Sequence, residues 1–400
     1  MLTRPIPISV VLGLLTAVGL FATDMYLPSL PAIGSDLGAD SGQVQASLIA
    51  FFIAIALCQV VYGPLSDMFG RKPPLYFGLG LFALGSVGCA LAPTIEWLIA
   101  FRFLQGMGAC AGMVIPRAVV RDLHTGVAAA HMMARLMLVF SVSPLLAPLA
   151  GSFVAAAGGW QANFWVMGGA CLLGLVLVAL RLPETRPPEQ RTATGFASTI
   201  SGYRTLLRDP HYLGLVLIAS FGMASYMTYL ANSSFVLIEH YGLSPSLYSV
   251  LFSINAVSFI GMSQLNGRLA RRFGLKRVIG FAIVGFVTTM VALFAVTALG
   301  IDRLGVMATF LFIGYGFLGS IIPTAAVLAL ESHGRIAGSA SAMMGTLQFI
   351  TAAAVMGLSG LYFDGTSLPM IATIALCSLV VSVLGALTLR PSARKAVTVE

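Results

Sequence analysis

Of the 400 residues, 58% are hydrophobic and only 9% are Asp, Glu, Lys or Arg. A soluble chain carries about 25% charged residues, so this composition excludes a water-soluble enzyme and predicts an all-α polytopic membrane protein. The formal charge of +8 invites a nucleic-acid reading, which the placement of the bases argues against.

The first apolar run, residues 8–31, is long enough to cross a bilayer as a helix, which takes about 20 residues. It carries one acid, Asp24, about six residues from its outer end. A carboxylate at the centre of such a helix costs about 2.5–3.5 kcal/mol. Pro28 and Pro31 follow it, so an interfacial acid at a frayed helix end is the alternative reading. The remaining spans are predicted near 43–63, 75–93, 96–118, 134–157, 162–182, 211–232, 246–266, 277–299, 304–330, 336–361 and 367–389. Only the span at 96–118 holds another charge at membrane depth, Arg102. The one long hydrophilic connection, 183–210, divides the chain into a six-helix bundle at 1–182 and a second at 211–400. A cleavable leader is not expected, because the first apolar run is too long for a signal segment. The cysteines show no metal spacing, and Cys58, Cys89, Cys110, Cys171 and Cys377 are expected as buried thiols.

With the N-terminus inside, Arg303 is the one external base and Arg102 the one base at membrane depth; all other Lys and Arg, Arg117 included, are assigned to the cytoplasmic side. This is the positive-inside pattern, and it accounts for the charge without a nucleic-acid partner. External connections carry Asp36, Asp40, Glu96, Glu239, Asp302 and Asp364. Both termini are therefore placed on the cytoplasmic side of a membrane that the chain crosses many times.

The connection after span 2 reads GPLSDMFGRK (63–72), and the one after span 8 reads GRLARRFGLK (267–276). Gly, Leu, Phe, Gly and Lys recur at an offset of 204 residues, which predicts two parallel structural repeats. The second copy has Arg271 where the first has Asp67.

GPLSDMFGRK resembles the signature loop of the major facilitator superfamily. ATDMYLPSLPAI (22–33), FRFLQGMGAC (101–110), VVRDL (119–123), VSPLLAPLAGSF (142–153) and LPET (182–185) narrow the likeness. Together they resemble the bicyclomycin and chloramphenicol resistance branch (Bcr/CflA type) of drug:proton antiporters, more closely in the first half than in the second. The resemblance implies two bundles, alternating access, a central cavity, a small-molecule drug and a proton as partners, and no cofactor beyond the proton motive force. It implies proton coupling at Asp24 and Arg102. It also marks an antiporter motif at Pro144, Ala147, Pro148 and Gly151, with Ala147 where relatives usually have Gly.

Burial penalises a charged carboxylate, which suits Asp24 to gaining and losing a proton. Span 1 runs outward and span 4 inward, so Arg102 and Asp24 come to similar depth, and a direct or water-bridged pair is expected. Snorkelling of Arg102 to the outer interface is the alternative. In the gate loop, Asp67 is expected to accept hydrogen bonds at a helix start in the other half. Arg71 is expected to pair with Asp122, while Gly63 and Gly70 permit close or unusual backbone geometry. Pro144 and Pro148 are expected to bend span 5. For the substrate cavity, amphipathic side chains at depth are candidates. They are Asp24, Tyr26, Arg102, Met113, Phe140, Tyr226, Tyr229, Asn232, Asn255 and Gln348, with lipid contact or helix packing as the alternative for each. The predicted function is efflux of small amphipathic antibiotics such as phenicols, florfenicol among them, or bicyclomycin, by a monomer in contact with membrane lipid. A metabolite exporter, or a scaffold or receptor that transports nothing, are the other readings. No metal-spaced cluster, nucleophile elbow or phosphate loop points to an enzyme.

Overall fold

The computed structural model describes residues 7–191, 195–333 and 336–389. Arg4, Arg335, Arg390, Arg394 and Lys395 of the basic set lie outside them. The described residues form helices α1 (Ile8–Asp24), α2 (Leu30–Leu37), α3 (Ser41–Phe69), α4 (Lys72–Ala90), α5 (Ile95–Leu123), α6 (Gly126–Arg181) and α7 (Gly195–Leu206). They continue with α8 (Pro210–Ser234), α9 (Pro245–Phe273), α10 (Leu275–Ala298), α11 (Leu304–Glu331), α12 (Ala337–Leu361) and α13 (Leu368–Thr388). Among the described residues, eleven helical stretches are long and apolar enough to cross a membrane. One of them, within α6, breaks at Gly158 (φ −145°, ψ 22°) and Gly159 (φ 74°, ψ 174°), so it makes two crossings and the total is twelve. Only glycine adopts such a positive φ without strain.

Two six-helix bundles result. In the first, α1 packs on α5 and α6, and α4 on α5. In the second, α8 packs on α12 and α13, and α9 on α11. Small residues set the close approaches, as expected where lipid offers no hydrophobic drive between helices. A Cβ on Gly108 would strike the Gly78 carbonyl, and one on Gly106 the Phe51 carbonyl. The connections at Asp36, Asp40 and Glu96 lie at one end of the molecule, called here the acidic end; Arg71, Lys72, Arg121 and Arg271 lie at the other, the basic end.

Span 1 is not the continuous helix predicted for 8–31. It stops at Asp24, turns through a 3-10 segment at Leu27–Ser29, and resumes as α2. Pro28 and Pro31 supply no N–H, so the helical ladder cannot run through them.

Candidate functional site

The break in span 1 frees backbone carbonyls, and side chains from elsewhere take them. Arg102 donates to the Ala22 carbonyl at 3.0 Å, Asn163 to that of Met25 at 3.3 Å, and Ser234 to that of Leu27 at 2.6 Å. The last of these also accepts the Leu30 N–H of the 3-10 turn, while Pro31 has no N–H with which to complete an α-helical bond to it. Asp24, the final residue of α1, is 5% exposed. Among the described residues its carboxylate has no hydrogen-bond or ion-pair partner. It lies within electrostatic reach of Tyr226 on α8 and Tyr248 on α9, both in the second bundle.

Arg102 is fully buried but does not reach Asp24, so the expected direct pair is absent. Its guanidinium also donates to Gln105 Oε1 at 2.6 Å, and lies 4.6 Å from the Tyr26 ring centre and 4.2 Å from that of Phe51. Ala22 and Tyr26 are one helical turn apart and share a face, whereas Asp24 falls on the opposite side of the turn. Boundary arithmetic equated the depths of Arg102 and Asp24 and missed this rotation.

The predicted cavity residues separate into two groups. Tyr26 is buried, its hydroxyl 2.7 Å from Ser47 Oγ. Tyr229 is buried and receives a hydrogen bond from Asn255 at 2.9 Å. Asn232 is buried and accepts from Gln45 at 3.1 Å. These four polar groups are spent on packing partners. Met113, Phe140, Tyr226 and Gln348 are only partly buried. Tyr226 stacks on Phe259 and meets Tyr315, which also contacts Tyr229.

The gate loop is held inside the first bundle. Arg71 is 3% exposed and grips Asp122 with two bonds, at 2.7 and 3.0 Å. It also donates to Ser66 at 2.7 Å and Asp67 at 2.8 Å. Asp67 takes Arg186 as well, at 2.9 Å, rather than a helix start in the other half as expected. Two guanidinium groups lie within reach of this carboxylate, Arg71 from its own bundle and Arg186 from the 183–210 connection. Gly70 has φ +91°, and a Cβ there would stand 2.8 Å from Glu184. Gly63, by contrast, lies inside α3 with nothing near it, so it carries no special geometry.

Glu184 was not singled out as a site residue, yet its carboxylate accepts the backbone N–H groups of Arg71 (2.8 Å), Lys72 (3.0 Å) and Arg186 (3.0 Å). It thereby caps the N-terminus of α4. Burial pushes its carboxyl up, but these three N–H bonds and the Arg191 charge outweigh that and hold it below the usual range. Thr185 adds a bond to Asp122 at 3.0 Å. The LPET motif marked these residues, but its spacing carried no hint of a partner 113 residues upstream.

The bundles meet at the acidic end. Ser249 and Ser253 of α9 donate to the Pro148 and Leu145 carbonyls of α6 at 3.0 and 2.8 Å. Pro144 and Pro148 lie within α6, Ala147 is buried, and Gly151 sits directly on the Met25 backbone. Asn232 links Gln45 to Ser359. Midway along, Thr346 reaches the Ala56 carbonyl at 3.1 Å and Phe52 stacks on Phe349. Closer to the basic end, no hydrogen bond or ion pair joins the bundles among the described residues, and about half of the residues of α9 from Val257 to Phe273 are exposed.

The family model for the Major Facilitator Superfamily matches residues 12–356. The MFS-type transporter YdgK of Bacillus subtilis (strain 168) is 35% identical over 361 residues, covering 90% of this chain and 89% of that protein. The bicyclomycin resistance protein homolog of Haemophilus influenzae is 31% identical over 375 residues, 93% of each chain. Multidrug resistance protein D of Escherichia coli (strain K12) is 30% identical over 364 residues, 90% of this chain and 89% of that one. Among solved structures, a D-xylose-proton symporter superposes with a TM-score of 0.71 at 16% identity, over 96% of this chain and 95% of that chain, a likeness of fold alone.

Proposed function

We propose that this chain, which belongs to the Major Facilitator Superfamily, exports small amphipathic antibiotics in exchange for protons. Like its relatives, it is a multi-pass membrane transporter and not an enzyme, and it is placed here in a bacterial inner membrane. Relatives named for multidrug and bicyclomycin resistance support drug efflux; phenicols and bicyclomycin are the substrates proposed here.

The observation that carries the reading is Asp24: a shielded carboxylate with no hydrogen-bond or ion-pair partner among the described residues, at a break in span 1, within electrostatic reach of tyrosines of the other bundle. None of the described residues occupies it, so proton and drug can compete for it. A proton on Asp24 removes its charge and changes what the site binds. Residues 1–182 and 211–400 act as the two moving bodies, with 183–210 as their tether. The basic end faces the cytoplasm by the positive-inside rule. The bundles are then closed outside and parted inside, a form ready to load drug from the cell. Arg102 serves by holding the broken end of α1 in place. The Arg71, Asp67 and Asp122 cluster keeps the gate loop in one shape.

The energetics suffice. A membrane potential supplies about 2.3 kcal/mol per charge per 100 mV, and one pH unit about 1.4 kcal/mol. Together they sustain a neutral drug gradient of about several hundredfold per proton.

Proton flux in energised inside-out vesicles tests this, with chloramphenicol, florfenicol and bicyclomycin added in turn. Drug should collapse the pH gradient with the wild-type protein but not with Asp24→Asn. Equal responses from both would remove Asp24 as the proton site. Silence of the wild type toward all three compounds would remove the substrate assignment.

A further inference from the structure

Arg117 was counted among the cytoplasmic bases, but its side chain is not out in water. It is partly buried on α5, one residue beyond Pro116, and its Cζ lies 4.8 Å from the ring centre of Phe140 on α6. Side chains on a helix lean toward its N-terminus, and the N-terminus of α5 is at the acidic end. Arg117 therefore leans toward the membrane interior, away from the nearer basic surface, which is the reverse of snorkelling.

Phe140 places the guanidinium inside the protein. On α6 it shares a face with Ala147 and Gly151, seven and eleven residues on, and Gly151 rests on the Met25 backbone of span 1. The lipid side of α6 is the opposite one, marked by Leu138, Leu146 and Phe153, 62%, 47% and 77% exposed. One turn before Arg117, Met113 packs against Gly19 of α1.

The cation has no counter-charge among the described residues. Among the described residues it makes no ion pair, and its Nε is shielded from solvent without a hydrogen-bond partner. The charged group nearest in effect is Arg121, of the same sign. Asp122, five residues along, is committed to Arg71 and Thr185. Stacking on an aromatic ring offsets only part of the cost of shielding a cation. A guanidinium is shaped for two-point contact with a carboxylate.

From this geometry we infer that Arg117 is an anion-recognition residue, which takes the carboxylate of an aromatic, amphipathic substrate entering from the basic end. The apolar part of that molecule lies along Met113 and Phe140. This deepens the export reading and rests on it: it adds acidic aromatic drugs to the neutral ones proposed above.

The test is isothermal titration of the purified full-length protein in neutral detergent with nalidixate, an aromatic carboxylate, and with its methyl ester. The wild type should prefer the acid by about tenfold or more, the scale of a charge-assisted two-point contact. Arg117→Gln should bring that ratio near one, and Arg117→Lys, which keeps the charge but not the fork, should fall between. Monodisperse elution and helical circular dichroism of Arg117→Lys guard against misfolding as the cause. Equal preference in wild type and Arg117→Gln, or no nalidixate binding to the wild type, would overturn the inference. So would displacement of nalidixate from the wild type by added phosphatidylglycerol, which would assign the cation to a lipid phosphate. The titration needs no gradient. Failed drug-driven proton flux would therefore overturn export while leaving the acid-to-ester ratio readable, and a ratio of one with intact flux would overturn only the role of Arg117.

Discussion

The loops at 63–72 and 267–276 share five residues of ten, and both turn on a glycine with positive φ, Gly70 at +91° and Gly274 at +84°. Their surroundings differ. In the first, Arg71 is buried among Ser66, Asp67 and Asp122, and Glu184 caps the helix that follows. In the second, Arg271 replaces the acid, and residues from Arg271 to Gly274 are exposed, with Arg272 lying over Phe273. A Cβ on Gly274 would meet nothing within 4 Å. The turn is thus a local property that any copy of the glycine reproduces. The latch needs acids from the end of α5 and from beyond α6, and only one half has them. One bundle carries a rigid basic corner and the other an open cationic turn.

Removing the centre of the latch should separate the two loops most. Arg71→Ala leaves Asp122 without its cation and Asp67 with Arg186 alone. It should cost about 3 kcal/mol, the scale for breaking a shielded ion pair. Arg271→Ala should stay within about 0.5 kcal/mol, as for exposed sites generally. Unfolding of the detergent-solubilised protein, followed by circular dichroism, compares them directly.

The glycines come next. Alanine at either position pays for its positive φ, about 1–3 kcal/mol. Gly70→Ala also pushes into Glu184, so its loss should exceed that of Gly274→Ala in the same measurement. If both losses are equal, the Glu184 contact relaxes freely and the corner is softer than drawn here.

Glu184→Gln should cost about 1–2 kcal/mol, because a neutral amide offers one oxygen to the N–H groups that two now serve. The acid sensitivity follows from the same group. Its folded-state carboxyl titrates below the ordinary 4.5. Its contribution is therefore complete above that value and is lost as pH falls through the lower folded-state value. Amide exchange at Arg71 and Lys72 should accelerate in that acid range in wild type and be fast at all pH values in Glu184→Gln. The turn at Gly274 should show no such change.

Within the first loop, the smallest effect is expected at Asp67. Its side chain is 41% exposed, so Asp67→Asn should cost under about 1 kcal/mol. Arg71 keeps Asp122 in that variant. A larger loss would mean that Arg186 and Asp67 hold the tether to the gate, and would be visible as faster proteolysis within 183–191.

Twelve crossings, the division into two bundles and the repeated loop were all legible in the chain, because hydropathy, glycine turns and basic connections act through local physics. Asp24 and Arg102 stood out for the same reason: a charge in an apolar run is conspicuous without any partner. What each of these groups touches depended on rotation and register between helices, which composition and spacing do not encode. Thus Arg102 took a carbonyl freed by a proline break instead of Asp24, and Tyr229 and Asn232 were absorbed into packing. Glu184, in a motif that looked like a simple span end, became the cap of a helix distant in sequence. Arg117 was read as a surface base because its span was predicted to end at residue 118, whereas α5 runs on to Leu123. Only the packing of α5 against α6 set its guanidinium on Phe140, inside the protein and without an anion among the described residues.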